Sequence, residues 1–271
     1  VLGIYLLIFL FLIIGWLCTK TFFSDENIVS GNTKITVIIP VRNEEKNIFN
    51  CLESLSYQSY PKALTQLILI DDFSEDETIL VAKKANEQFH FESFIFLKSE
   101  KSGKKNAITK GVENAEGTLI ITTDADCTFP EKWLSTIVAF YEKEQPSFIF
   151  APVAFINEKN IFETIQSLEF CGLIVAGAAS ARFNFPLMCN GANLAYEKKI
   201  FQTVNGFEGN EHIDSGDDLF LMEKISRLTS AKIKFLKSAE AIVKTSASTD
   251  LKSFIEQRKI LASKSIHLKS K

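Results

Sequence analysis

Residues 34–47 read KITVIIPVRNEEKN, and residues 66–74 read QLILIDDFS. Each holds a mainly apolar run, rich in Ile, Val and Leu, as expected of a strand buried on both faces. Pro40 stops the first run, and Asp71-Asp72 ends the second. A helical pattern follows each strand. The first opens at Asn43 and Glu44 and continues through Leu55. The second runs from Glu75 to about Gln88, with Ser74 as N-cap and Glu77 at capping-box spacing.

The same rhythm repeats downstream. Phe94–Leu97 reads as a strand, Lys104–Asn114 as a helix, and Thr118–Thr123 (TLIITT) as a strand ending at Asp124-Ala125-Asp126. Pro130 stands near the first turn of a helix through Tyr141, and Ser147–Phe150 is a fifth strand. Strands alternating with helices of this length predict an α/β fold with a mainly parallel central sheet and flanking helices. Such sheets bind ligands beyond the carboxyl ends of their strands. The polar signatures Arg42-Asn43-Glu44, Asp71-Asp72 and Asp124–Asp126 all fall there. Past residue 155 the pattern changes. Ile161–Arg182 reads as one long helix and Leu187–Tyr196 as strand and turn. Ser215-Gly216-Asp217-Asp218 precedes a helix to about Arg227. Ala231–Phe235 and Ala241–Thr245 read as strands, and Asp250 caps a last helix to about Lys264.

Composition excludes several classes. The 271 residues are 46% hydrophobic and 23% charged, enough for a sizeable core and against global disorder. A net charge of -3 argues against a nucleic-acid partner, which would need a basic surplus. Five cysteines without C-x-x-C spacing indicate neither a disulfide framework nor a zinc cluster. Three scattered histidines give no H-E-x-x-H metal motif. Residues 1–18 (VLGIYLLIFLFLIIGWLC) carry no charge and meet the lower length for a membrane-spanning helix. A signal peptide would want a basic start and small residues at a cleavage site, whereas Lys20 and Phe22-Phe23 follow. Lys20 and Lys34 beyond the segment favour a membrane protein whose body is cytoplasmic. The chain opens without Met and closes in a basic stretch, which reads as a piece of a longer protein.

Four groups of residues carry chemistry. Asp124 and Asp126 sit two apart, so on extended backbone both carboxylates point the same way and can grip one hard cation, Mg²⁺ or Mn²⁺. A solvated strand-end turn gives the same letters. Asp71-Asp72 exceeds what helix capping needs, so one acid can face a base or ribose donor. Lys101-Ser102-Gly103-Lys104-Lys105 is a basic turn before a helix, suited to phosphate, and it is not a Walker A loop. At the start of a later helix, Asp217 and Asp218 supply one acid for capping and one for general-base work.

The segments VIIPVRNEEKN (37–47), IDDFSEDET (70–78), GKKNAITKG (103–111), DAD (124–126), NGANLAY (190–196), VNGF (204–207) and GDDLFL (216–221) resemble, in this order, the motifs of family 2 glycosyltransferases. The resemblance covers about 34–265 and implies the GT-A (Rossmann-like) fold and an inverting transfer from a nucleotide-diphospho-sugar, often a UDP-sugar. It implies that Pro40, Arg42 and Glu44 lie along the nucleotide, and that Asp71 and Asp72 reach the uracil or ribose. Lys104 then lies near the phosphates, and Asp124 and Asp126 hold the metal. Asp218 is the implied catalytic base with Asp217 as its acidic neighbour, and Asn190, Gly191 and Asn193 line the donor pocket. The chain then divides into a membrane helix (1–18), a linker (19–33), a nucleotide-sugar-binding half (34–155) and an acceptor-side half of the same domain (156–271). The membrane helix suits a lipid-linked or envelope glycan acceptor. Membrane-associated members often carry Q-x-x-R-W on the last helix. Here Gln257 is kept, Ile260 and Leu261 replace Arg and Trp, and Arg258 leaves the helix about 200° away from the missing arginine. Gln257 and Arg258 are therefore the acceptor-side candidates, and a single transfer is expected over a processive synthase. The altered motif also leaves open a non-catalytic relative that binds a glycan or nucleotide. A nucleotidyltransferase of similar sheet would show a glycine-rich loop after the first strand, and VRNEEKN has none.

Overall fold

A computed structural model describes residues 2–24, 32–209, 216–256 and 258–259. The chain begins with helix α1 (Leu2–Cys18), then alternates β1 (Ile35–Val41), α2 (Ile48–Ser56), β2 (Thr65–Asp71), α3 (Thr78–Phe89), β3 (Phe94–Lys98), α4 (Lys104–Glu113), β4 (Leu119–Thr122), α5 (Trp133–Glu144) and β5 (Phe148–Phe150). After these come β6 (Val153–Ile156), α6 (Ile161–Arg182), β7 (Leu194–Glu197), α7 (Lys198–Thr203), α8 (Asp217–Leu228), β8 (Ile233–Phe235) and β9 (Val243–Ser246). Residues 251–256 and 258–259 are helical, and the Asp250 carboxylate accepts the Ser253 N–H at 2.9 Å, the cap expected from the sequence.

Seven strands form the main sheet in the order β3-β2-β1-β4-β7-β5-β8. All neighbours are parallel except β7, which runs antiparallel to both β4 and β5. The α/β fold with a mostly parallel sheet is thus as the sequence predicts. β7 comes from beyond residue 155 yet lies between two strands from before it, so the two halves share one sheet. β6 and β9 form a separate parallel pair.

Alternation along β1 sorts the core. Ile35, Val37, Ile39 and Val41 face the layer with Leu52 of α2, Ala82 of α3 and Trp133 of α5. Ile38 faces the layer with Ala107 of α4, Phe201 of α7 and Met222 of α8. β1 has β2 on one side and β4 on the other, so the strand order reverses there. A crevice opens beyond the carboxyl ends of strands at such a reversal.

Two local expectations are corrected. The first helix begins at Ile48, because Asn43 adopts φ 57 and leaves the helical path. The second begins at Thr78, because Ser74 does not cap it. The Ser74 hydroxyl instead accepts the Asn43 N–H at 3.2 Å, and Asp76 accepts the Thr78 N–H at 3.0 Å. The two strand-end loops are laced together further, with Asn43 Oδ1 accepting from Glu75 N–H and Thr78 Oγ1 accepting from Glu44 N–H. Polar residues that read as helix openers in one dimension are cross-loop partners in three.

Candidate active site

β1, β2 and β4 deliver their carboxyl ends to one crevice, and the acids ride there on short loops. Asp71 accepts the Ser74 N–H at 2.9 Å, shaping its own turn. Asp72 is buried, and its two oxygens accept the Gly103 N–H at 2.8 and 3.0 Å. That bond fixes the start of α4, whose first residue is Lys104. The Lys104 ammonium then reaches Asp124 Oδ1 at 2.5 Å, just past the end of β4. Arg42, past the end of β1, donates to Ser102 Oγ at 3.0 Å, joining the basic turn to the first loop. Pro40 is the half-buried penultimate residue of β1.

The other wall comes from the second half of the chain. Asp218, buried on the first turn of α8, accepts the Gly191 N–H at 3.0 Å and the Leu219 N–H at 2.8 Å. A methyl group placed on Gly191 would lie 3.3 Å from Lys104 Nζ and 3.6 Å from Asp218 Cβ. Lys104, Asp218 and the 190–193 turn therefore meet at Gly191. Asn190 builds that turn by accepting the Ala192 N–H at 2.9 Å, and Thr123 tethers it to β4 through the Ala192 carbonyl at 2.8 Å.

Asp126 is exposed, and Thr245 of β9 donates to its Oδ2 at 2.9 Å. Glu44 stands close enough to feel both Asp126 and Asp124. Its pKa is raised, first by burial and then by those carboxylates, against an opposing hydrogen bond from Asn47. Burial also pushes the Cys51 and Cys127 thiols beneath this cluster far up, with Asp126 and Asp124 adding to it, so both stay protonated. Among the described residues no group of three or more His, Cys, Asp and Glu side chains could hold a metal ion by itself. Two carboxylates with oxygen-only chemistry still fit Mg²⁺ or Mn²⁺, which keep several waters and take the remaining ligands from substrate phosphates.

The sequence-predicted residues sort clearly. Lys104 bonds Asp124, Asp218 bonds Gly191, Gly191 lies close to Lys104, and Asp72 holds Gly103 just before Lys104, with Arg42, Glu44 and Asp126 beside them. Asn193 stands apart: its side chain is 1% exposed, donates to the Pro152 and Ala241 carbonyls, and accepts the Trp133 indole N–H. It braces the turn from the core side and presents no group to the crevice. The Arg258 guanidinium pairs with Glu169 of α6 at 2.6 Å and lies over the Phe254 ring. Gln257 and the side chain of Asp217 lie outside the described residues. Thr245 escaped the sequence reading, and Ser102 enters it only as a member of the basic turn, without its bond to Arg42. Thr245 lies 119 positions from Asp126, and no local pattern links them. A cavity of about 500 Å³ also opens on the far side of the α4 start, lined by Lys101, Lys105, Phe201 and Phe207. It shares Ser102, Gly103 and Lys104 with the crevice but none of its acids.

Comparison with known proteins gives the family and the fold. Residues 36–204 match the model of glycosyl transferase family 2, and the chain belongs to that family. The dolichyl N-acetyl-alpha-D-glucosaminyl phosphate 3-beta-D-2,3-diacetamido-2,3-dideoxy-beta-D-glucuronosyltransferase of Methanococcus voltae is 33% identical over 115 residues, 41% of this chain and 36% of that protein. The chain thus spans about a third of the length of such curated relatives. Among solved structures, the mannosyltransferase PcManGT of Pyrobaculum calidifontis, in complex with GDP-Man and Mn²⁺, superposes with a TM-score of 0.72 at 17% identity, covering 96% of this chain and 72% of that one. TarS 1–349 of Staphylococcus aureus, in complex with UDP-GlcNAc, gives 0.61 at 19% identity, covering 80% and 59%. These likenesses establish the GT-A fold.

Proposed function

We propose that the chain is an inverting glycosyltransferase moving a sugar from a nucleotide-diphospho-sugar, a UDP-sugar in the first instance, to a hydroxyl of a lipid-linked or envelope glycan. The observation that carries this is the meeting of Lys104, Asp124 and Asp218 around Gly191. It supports a donor diphosphate on one side and an acceptor hydroxyl on the other. The named activity of the Methanococcus voltae relative motivates the lipid-linked acceptor, and the uncharged helix α1 motivates the membrane setting, with the catalytic body on the cytoplasmic side.

In this reading Arg42, Asp71 and Asp72 hold the nucleoside end of the donor, with Pro40 beneath it. Lys104 balances the negative charge that grows on the departing diphosphate. Asp126 and Asp124 would hold a Mg²⁺ or Mn²⁺ ion, whose chemistry is to neutralise that same diphosphate. The Asp218 carboxylate takes the proton of the acceptor hydroxyl as its oxygen bonds to the anomeric carbon. The bond from that carbon to the diphosphate oxygen breaks, and its electron pair leaves with the nucleotide. Displacement from the opposite face turns an α-linked donor into a β product. The Gly191 N–H steers Asp218 toward that task, and Asp217 is its acidic neighbour.

Asp218→Asn tests the assignment. Turnover should fall by roughly 10²–10⁴-fold, the usual worth of a general base, while Mn²⁺-dependent UDP binding by titration calorimetry stays intact. Undiminished turnover would remove Asp218 from the chemistry. A second reading, a relative that binds donor without transferring sugar, draws on Arg258. Its pairing with Glu169 keeps it from replacing the arginine absent at position 260. Donor binding without sugar transfer or hydrolysis across a panel of acceptors would select that reading.

A further inference from the structure

The Lys104 ammonium is already engaged by acids of the crevice. It meets Asp124 Oδ1 at 2.5 Å, a hydrogen-bonded ion pair whose side chains are 33% and 35% exposed. The place of a Cβ on Gly191 lies 3.3 Å from Lys104 Nζ and 3.8 Å from Asp218 Oδ2. One positive charge thus bonds a carboxylate assigned to the metal and stands near the carboxylate assigned to the base.

Both partners of the ion pair leave from backbone that is fixed to the sheet. The Asp72 N–H is given to the Val41 carbonyl at 2.8 Å, and the Asp72 carboxylate holds the Gly103 N–H with both oxygens. Gly103 takes φ 118, a conformation that suits glycine alone, and Lys104 follows as the first residue of α4. On the other side, the Thr123 N–H bonds the Ile38 carbonyl at 3.3 Å and its hydroxyl bonds the Ala192 carbonyl at 2.8 Å, one residue before Asp124. The pair is therefore a built contact between the start of α4 and the end of β4.

A carboxylate oxygen paired with an ammonium has its charge answered. A divalent cation arriving at the same carboxylate meets a like charge a few ångströms away. Near a protein surface, repulsion at that range changes an affinity by roughly tenfold or more. A diphosphate removes the conflict. It carries more negative charge than one carboxylate and so attracts the ammonium to itself, and its oxygens complete the ligand set that Mg²⁺ or Mn²⁺ takes.

We propose that Lys104 is the counter-ion of Asp124 in the donor-free enzyme, and that the donor diphosphate draws it away, so that Asp124 opens to a divalent cation only together with the donor. This rests on the assignment of Asp124 and Asp126 to the metal and of Lys104 to the diphosphate. No covalent bond changes; one ammonium exchanges partners. The empty enzyme then holds divalent cation weakly. Metal and nucleotide strengthen each other's binding through Lys104 as well as by direct contact, and the coupling is the same read from either side. The exchange also brings the ammonium to the leaving group, where charge grows in the transition state.

Two binding measurements on the full chain in detergent test this, manganese EPR without nucleotide and titration calorimetry of UDP in the presence of EDTA. Lys104→Met should bind Mn²⁺ severalfold more tightly than the parent chain when no UDP is present. Lys101→Met, which removes the same charge from the same turn, should change it by less than about twofold. Asp124→Asn, which frees the ammonium, should tighten metal-free UDP binding severalfold. Asp126→Asn, an equal loss of charge from a carboxylate whose partner is Thr245, should tighten it distinctly less. Thermal unfolding verifies each variant, with Lys104→Gln and Asp124→Ser in place of any that does not fold. Nucleotide-free Mn²⁺ affinity that stays level or falls in Lys104→Met would overturn the exchange, as would metal-free UDP affinity that stays level or falls in Asp124→Asn. Equal gains from Lys104→Met and Lys101→Met would trace the effect to the general field of the turn, and the proposal falls. Mn²⁺ binding with UDP that survives in both Asp124→Asn and Asp126→Asn would remove the metal assignment itself, a separate failure that the first comparison does not produce.

Discussion

Single contacts decide how the acids are poised. Thr245 holds one oxygen of Asp126, so Thr245→Val should weaken Mn²⁺ retention by about tenfold, the low end for an outer-shell partner, with the fold intact. Manganese EPR in the presence of UDP reads this directly. Glu44 gives a pH signature. Its folded-state pKa is raised above the ordinary 4.5, so its contribution to stability is full below that value and is lost as pH climbs through the folded one. Glu44→Gln removes this titration, and the urea midpoint should then fall less steeply from pH 4.5 to 8 than in the parent chain. Much at this scale was readable in advance. DAD, GKK and GDD were each weak, yet their order along the chain marked the crevice. What sequence could not supply were partners from remote strands, such as Thr245, and the inward turn of Asn193, which the letters do not distinguish from Asn190 three residues earlier.

Elements hold the site because their ends are locked to one another. Asn193 bridges α5, the start of β6 and the turn before β9 through Trp133, Pro152 and Ala241. Asn193→Ala leaves an indole N–H and two carbonyls without these partners, each loss costing about 1–3 kcal/mol. Urea unfolding should show a loss of at least about 2 kcal/mol, partly offset by repacking or water entry. The strands and most helices were legible because buried apolar runs and 3.6-residue spacing are local properties. The three-residue β5 and four-residue β6 are barely long enough to carry a period, and the antiparallel course of β7 follows from where it must fit, between β4 and β5. The starts of α2 and α3 lie later than the sequence pattern predicts for a related reason: the polar residues before them bind across to the neighbouring loop.

At the scale of the whole molecule, α1 is fastened to the body. Gly15 permits its close approach to α6, Arg182 donates to the Cys18 carbonyl, and the Lys237 ammonium sits 3.8 Å over the Trp16 ring. Gly15→Leu should pry α1 away, because the new side chain would meet the Ala179 backbone. Trp16 emission should shift as Lys237 leaves it, while buried Trp133 supplies an unchanged background, and the thermal midpoint should fall by several degrees. The placement of β7 has a consequence for biosynthesis. β4 has no neighbour on one side until residue 197 has left the ribosome, well after its own synthesis. At about 5–20 residues per second this leaves a strand edge unpaired for on the order of ten seconds. The nascent chain must pass through that interval with a sticky border, so a chaperone, or early capture of its leading apolar segment at the translocation machinery, would guard its birth.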